Sequence, residues 1–184
     1  MILGLLSDTH GQVQRAAAAV RVLREAGAEA FIHCGDIGGP EVLDQLAGLR
    51  AWVVWGNTDW PDTRLSEHAA RLGLSLASDA PCWIELEGRV IAAFHGHEPT
   101  FKQLLDHAPG TGKERAALAH ADFVVHGHTH IAADVRLGPL RLVNPGALDG
   151  TPRLSVATVD LKTKRVRFLR VGDDRRAARG YPAR

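Results

Sequence analysis

Short apolar runs bounded by Gly, Asp or Asn recur early in the chain, at Met1 to Ser7, Ala30 to Cys34 and Ala51 to Trp55. Such runs predict buried strands. Between them, Gln12 to Glu25 and Pro40 to Leu49 carry apolar residues at i, i+3 and i+4, so they predict helices that cover a parallel sheet through right-handed crossovers. A third amphipathic stretch runs from Arg64 to Leu72. The second half changes character. Cys82 to Leu86 and Arg89 to Phe94 flank Glu87-Gly88, the signature of a tight hairpin, and a helix is predicted around Thr100 to His107. A strand at Asp122 to His126 follows, then three more near Leu140 to Val143, Leu154 to Asp160 and Val166 to Val171, joined by short turns that predict an antiparallel continuation. The pattern reads as one mixed α/β domain over residues 1–171. The polar, Arg-rich stretch 172–184 reads as a flexible tail.

Composition narrows the class. A chain of 184 residues with 45% hydrophobic and 23% charged residues can bury one substantial core and is short for two ordinary domains. The formal net charge is +1, with Lys and Arg scattered, so no electrostatic footprint of a dedicated nucleic-acid binder is present. Met1 to Leu6 is too short for a membrane span or a signal-peptide core and reads as a first strand. Cys34 and Cys82 show no C-x-x-C spacing, which argues against a thiolate zinc site and fits a reducing cytoplasm.

The chemistry lies at the ends of the predicted strands. Nearly every predicted core strand ends in a hard or imidazole donor beside small residues: Asp8 and His10, Asp36, Asn57, His95, and His128 with His130. The carboxyl ends of strands in an open α/β sheet converge on one crevice, so residues distant in sequence meet there. Oxygen and imidazole donors without sulfur suit borderline divalent ions such as manganese, iron, nickel, cobalt or zinc. Seven donors exceed what one ion uses. In Asp8-x-His10 and His128-x-His130, an extended segment would leave the i and i+2 side chains on one side, straddling a metal pair.

These blocks, Asp8-Thr9-His10, Gly35-Asp36, Gly56-Asn57, His95-Gly96 and Gly127-His128-Thr129-His130, resemble the five ordered blocks of the calcineurin-like metallophosphoesterases over residues 1 to about 150. Chain length, Gly56-Asn57-Thr58-Asp59 in place of the usual Gly-Asn-His block, and Asn144-Pro145-Gly146-Ala147 make it similar to the small bacterial and archaeal phosphodiesterase branch. The resemblance implies a four-layer α/β/β/α sandwich with two mixed sheets. It implies a first ion on Asp8, His10 and His130, a second on Asn57, His95 and His128, and Asp36 bridging both ions and the attacking hydroxide. Two such ions, roughly 3.5 to 4 Å apart, would activate that hydroxide against a small phosphate ester, diesters before monoesters. Manganese is the first expectation, with nickel, iron, zinc and cobalt as alternatives. A homodimer is implied by the resemblance alone. The competing reading is a non-catalytic metal-binding scaffold for protein interactions, because the retromer scaffolding subunit resembles the same fold. A nuclease would require a basic surface that this chain lacks.

The remaining candidates carry two readings each. His97 follows His95 by two residues and reads either as an acid or phosphate donor at the cavity edge or as a structural histidine. Asp59 reads as a ligand- or substrate-orienting carboxylate or as a turn cap. Thr58 and Trp60, beside Asn57, read as lining the substrate cleft, while Trp52 and Trp55 read as core or interface and Trp83 offers no second signal. His33 and His126 read as structural. His68, His107 and His120, in polar helical contexts, read as surface residues.

Overall fold

The computed structural model describes residues 1–59, 63–77, 79–106, 118–138 and 140–172. The elements are β1 (Ile2–Leu6), α1 (Val13–Glu25), β2 (Ala28–His33), α2 (Pro40–Leu43), a 3-10 turn (Asp44–Leu46), β3 (Ala51–Val53), α3 (Thr63–Arg71) and β4 (Ser75–Leu76). They continue as β5 (Cys82–Leu86), β6 (Arg89–Ala93), α4 (Pro99–Asp106), β7 (Phe123–Val125), β8 (Ala133–Leu137), β9 (Leu140–Asn144), β10 (Ser155–Asp160) and β11 (Val166–Arg170). The fold is mixed α/β with two mixed sheets. The first runs β11-β10-β1-β2-β3-β4 and the second β5-β6-β7-β9-β8.

In the first sheet β1, β2, β3 and β4 are parallel, and β10 and β11 extend it antiparallel beyond β1. In the second, β6, β7 and β9 are parallel with antiparallel edges β5 and β8. Strand alternation sorts side chains into separate cores. Leu3, Leu5, Ala30 and Ile32 of the first sheet join Ile91, Phe123, Val125 and Val143 of the second in one buried cluster between the sheets. Leu6, Phe31 and Val53 point the other way, onto Ala16, Ala19 and Leu23 of α1 and Leu43 of α2. Ala92, Val124 and Leu142 face Phe101 and Leu104 of α4. With both faces covered, the parallel strands need to be apolar throughout, which is why β1 reads as an unbroken apolar run.

Three expectations change. The helix predicted over Pro40 to Leu49 is one α-turn followed by the 3-10 turn, because Val42, Leu43 and Leu46 are already buried by those short pieces. The antiparallel continuation is split between sheets: β9 pairs parallel with β7, whereas β10 returns to the first sheet beside β1. Strands β4 and β8 had no sequence signal, β4 for its two residues and β8 because its middle three residues are exposed at a sheet edge. The hairpin forms as expected, with Glu87 at φ 51 and Gly88 at φ 67, the left-handed pair of a two-residue turn. His107 and the stretch 173–184 lie outside the described residues.

Candidate metal centre

Parallel β1, β2 and β3 end at one rim of the first sheet, and parallel β6 and β7 end at the facing rim of the second. The loops leaving these strands are laced together beyond the ladders. Asp8 N donates to Gly35 O at 3.0 Å, His10 N to Asp36 O at 2.9 Å and Gly127 N to His95 O at 2.8 Å. Two bonds cross between the sheets: the His95 ring Nδ1 lies 2.7 Å from Cys34 O, and His128 N donates to Asp8 Oδ2 at 3.1 Å.

Six of the seven predicted ligands meet through their polar atoms. His130 Nε2 is 3.2 Å from Asp8 Oδ1 and 3.4 Å from His10 Nε2. His10 Nε2 and His95 Nε2 each lie 3.5 Å from Asp36 Oδ2, and His95 Nε2 is 3.0 Å from Asn57 Oδ1. His128 completes the ring of candidates with its imidazole edge-on to that of His95, centroids 5.1 Å apart. Two sets, Asp8 with His10 and His130, and Asp8 with Asp36 and His95, place all their donor atoms within 4.8 Å of one another.

The hydrogen bonds orient the imidazoles toward the oxygens. Cys34 O can only accept, so His95 Nδ1 carries a hydrogen, and in the neutral ring Nε2 is the nitrogen left to ligate. That Nε2 faces the Asp36 carboxylate and the amide oxygen of Asn57. His10 and His130 likewise aim one Nε2 at the other beside two carboxylates. Carboxylate and amide oxygens crowded around imidazole nitrogens in a largely buried site make a pocket of negative potential that suits a cation.

The titration tendencies follow. Burial pulls the Asp36 carboxyl upward, but hydrogen bonds from His95 and from the Thr58 amide override it and hold the group well below the carboxylate range. Burial pulls His95 downward, and its bonds to Asp36 and Cys34 override that, so it is raised. Asp8, fully buried, is raised by burial against the opposing pull of Ser7 and His95.

The convergence is not made as expected. Asp8 (φ 55), His10 (φ 45), Asp36 (φ 54), His128 (φ 69) and His130 (φ 59) all adopt the left-handed backbone rather than an extended one. Only Glu87 and Lys164 join them among the described non-glycine residues. Left-handed backbone costs an L-residue about 1 to 2 kcal/mol, and such strain concentrates where function requires it. Two glycines make room. A Cβ on Gly56 would lie 2.0 Å from Asp36 Oδ1, and one on Gly127 would lie 1.9 Å from Ser7 Oγ and 2.6 Å from Asp8 Oδ2.

Residues 1–164 match the model of the calcineurin-like phosphoesterase superfamily domain. The chain belongs to that superfamily. As a calcineurin-like phosphoesterase it is 25% identical over 171 residues to phosphodiesterase MJ0936 of Methanocaldococcus jannaschii, covering 90% of this chain and 97% of that protein. It is 27% identical over 170 residues to the probable metallophosphoesterase YsnB of Bacillus subtilis, covering 89% of this chain and 88% of that protein. A solved archaeal phosphodiesterase shares the fold at TM-score 0.77 and 22% identity, over 92% of this chain and 99% of that one. Wild-type Vps29 from Entamoeba histolytica, complexed with zinc, shares it at TM-score 0.57 and 20% identity, over 93% of this chain and 98% of that one.

In this member of the superfamily several of the remaining sequence candidates turn out to support the ligand-bearing loops. Asp59 is a backbone cap: its oxygens accept N–H bonds from Ile37 at 2.9 Å, Gly38 at 3.1 Å and Gly56 at 2.9 Å, tying the Asp36 and Asn57 loops together. Thr58 N is committed to Asp36 Oδ1 at 2.9 Å. His97 stands at the rim, about a third exposed, its ring 5.4 Å from that of His95 and its Nδ1 without a hydrogen-bond partner among the described residues. Trp60 lies outside the described residues. His68 is half-buried and donates to Asp44 at 2.7 Å, and exposed His120 stacks on Trp83 with centroids 4.7 Å apart.

His33 is structural in a specific way. Gly35 N donates to its Nδ1, so its Nε2 donates to Thr9 Oγ1 at 2.9 Å, and that hydroxyl donates on to Ile37 O at 2.9 Å. This chain pins the Asp8–His10 loop to the Asp36 loop. Burial holds the His33 imidazole neutral, pushed down to about 4. Two supports had no assigned role in the sequence reading. Glu98 accepts from His95 N and Gly96 N, both at 2.7 Å, and Asn144 donates to Gly127 O at 2.8 Å while accepting from Gly146 N at 2.9 Å. For Glu98 the only signal was a carboxylate directly before Pro99 at a helix start.

Proposed function

We propose that the chain is a metal-dependent phosphoesterase that hydrolyses small phosphate esters, diesters in preference to monoesters, at a centre for two divalent ions. The observation that carries this reading is the convergence of donors from both sheets: with its Nδ1–H given to Cys34 O, His95 brings its Nε2 to 3.5 Å from Asp36 Oδ2 and 3.0 Å from Asn57 Oδ1, while His10 and His130 close on Asp36 and Asp8 beside it. Asp8, His10 and His130 would hold one ion; Asn57, His95 and His128 would hold the other; Asp36 would bridge them. The donors are nitrogen and oxygen without sulfur, which fits manganese first and nickel, iron, zinc or cobalt as alternatives. When bound, such a pair supplies Lewis-acid polarisation of the phosphoryl oxygen and a water activated at neutral pH.

The chain's own groups do the rest. Cys34 O, the Thr58 amide and Asp59 orient the donors before any substrate arrives, and preorganised donors cost nothing to reorganise during reaction. Thr58 occupies the position of the histidine in a Gly-Asn-His block, and its hydroxyl is a poor acid at neutral pH. His97, at the rim with an unpartnered Nδ1, takes the role of proton donor to the departing oxygen or of a hydrogen-bond donor to phosphate. Cys34 and Cys82 are both free thiols, in keeping with a cytoplasmic setting, and no described helix is long and apolar enough to cross a membrane.

The test is to strip the protein of metal and reload it with manganese, nickel or zinc. Metal content is measured, and turnover of bis-p-nitrophenyl phosphate is compared with that of p-nitrophenyl phosphate. Two ions per chain with faster diester cleavage is the expected result. Two ions with no turnover of either ester would favour the scaffold reading, and fewer than one ion per chain would remove the dinuclear centre.

A further inference from the structure

A cavity of about 510 Å³ opens behind the ligand loops, walled by Gly38, Thr58 and Asp59 on one side and by Arg64, His68 and Arg71 of α3 on the other. None of the seven candidate ligands lines it, but Thr58 and Gly38 of its wall are joined to the loops that carry Asp36 and His10. Thr58 N holds Asp36 Oδ1, and Gly38 packs so tightly on the preceding loop that a Cβ there would lie 2.5 Å from the carbonyl carbon of His10.

The cavity wall is cationic. Arg64, His68 and Arg71 follow a four-plus-three spacing, which stacks them on one helix face. His68 Nε2 donates to Asp44 Oδ1 at 2.7 Å, so its Nδ1 accepts from Arg71 Nη2 at 3.3 Å. That arrangement steadies the Arg71 guanidinium against a neutral imidazole and leaves its charge unspent. Among the described residues neither Arg64 nor Arg71 has a carboxylate partner. The one acidic side chain among the described lining residues, Asp59, already has three backbone N–H groups on its oxygens. Unpaired guanidinium groups on a concave wall suit oxyanions, which they bind through paired N–H donors.

We propose that this cavity is a subsite for a second anionic group of the substrate, a phosphate or carboxylate distinct from the ester that reacts, bound by Arg64 and Arg71. The substrate class is therefore a phosphate ester bearing an additional negative charge. This rests on the phosphoesterase reading, but half of its test does not.

In metal-free protein, inorganic phosphate is titrated while the His68 imidazole signals are followed by NMR. A saturable shift is expected in the wild type, weakened by Arg64→Gln, which leaves the His68–Asp44 bond in place, and lost in the Arg64→Gln/Arg71→Gln double variant. No saturable shift in the wild type, or an equal one in the double variant, overturns the subsite. In the metal-loaded enzyme, kcat/KM is compared for the p-nitrophenyl ester of thymidine 5′-phosphate with and without a 3′-phosphate. The wild type should prefer the ester with the extra phosphate, and the ratio should fall about tenfold in the double variant. An unchanged ratio overturns the proposal. Turnover of neither ester by the wild type would sink the phosphoesterase reading, leaving the imidazole titration to decide the subsite.

Discussion

Replacing Gly56 with Ala should disable the metal centre while leaving the fold standing. Gly56 does not need a left-handed backbone, so the substitution is purely a question of space. The added methyl would lie 2.0 Å from Asp36 Oδ1, 2.7 Å from its Cγ and 2.2 Å from its backbone N. A side-chain rotation could relieve the first two contacts, but the third is with main chain. The Asp36 loop must therefore move by about 1 Å, and functional constellations tolerate only about 0.5 Å. The moved loop also carries the acceptor for His10 N, so both halves of the site shift together. Overpacking of this kind costs about 1 to 3 kcal/mol, reduced by the stiffer unfolded chain of Ala. Gly48→Ala is the comparison: nothing lies within 4 Å of its Cβ, but at φ +70 it incurs backbone strain of about 1 kcal/mol. Both variants are measured by urea unfolding and by calorimetric metal titration. Gly48→Ala should lose stability and keep wild-type metal affinity, whereas Gly56→Ala should lose metal affinity by at least about tenfold. Wild-type metal binding in Gly56→Ala would refute the claim that close approach at this glycine positions Asp36.

Asp36→Asn keeps an acceptor for the Thr58 amide, so the loop should survive while occupancy of both metal positions falls, by more than the roughly 10- to 100-fold typical of outer-shell changes; elemental analysis reads it, and loss of only one ion would contradict bridging. For His33, the unfolded imidazole titrates near 6.5 and the folded one near 4, so the unfolded chain takes up the extra proton between those values. Stability is therefore full above pH 6.5 and declines as pH falls toward 4, by up to about 3 kcal/mol. In metal-free protein the stability gap between wild type and His33→Gln, largest at pH 7.5, should shrink by pH 5; a constant gap in urea unfolding would remove His33 as the cause. For His97, log rate against leaving-group pKa in an aryl phosphodiester series should be shallow in the wild type and steepen in His97→Ala, since general-acid help is worth about a hundred- to ten-thousand-fold. A shallow slope that His97→Ala leaves alone would assign the proton to another group.

The seven candidate donors stood out in the sequence because each sits just past a strand, and strand ends are what hydrophobic runs mark best. What surrounds them was not. Asp59 offered the same two oxygens and the same neighbouring Gly-Asn as a ligand would, and only three-dimensional proximity of Ile37 and Gly38 shows that backbone N–H groups claim them. The partition of β9 and β10 into different sheets was equally hidden. Both are apolar on two faces, so neither alternation nor length says which neighbour each will take. The length of α2 was overestimated for a related reason: spacing at Val42, Leu43 and Leu46 is satisfied by any path that buries all three.

The left-handed residues show why spacing alone misjudged the local geometry while still naming side chains that converge. In an extended strand, residues i and i+2 face the same way but stand about 6.5 Å apart along the chain, too far for two short side chains to share one ion. Turning Asp8, His10, His128 and His130 into the left-handed region curls each Asp-x-His or His-x-His segment, bringing Asp8, His10 and His130 donor atoms within 4.8 Å of one another. That curl is strained, and it persists because the amides it exposes are taken up elsewhere: Asp8 N by Gly35 O, His10 N by Asp36 O, His128 N by the Asp8 carboxylate itself. Each bond links two ligand-bearing loops. The strain at one candidate donor is thus held by the loop that carries the next, and the candidate centre is a single mechanical unit drawn from both sheets rather than a set of independently placed side chains.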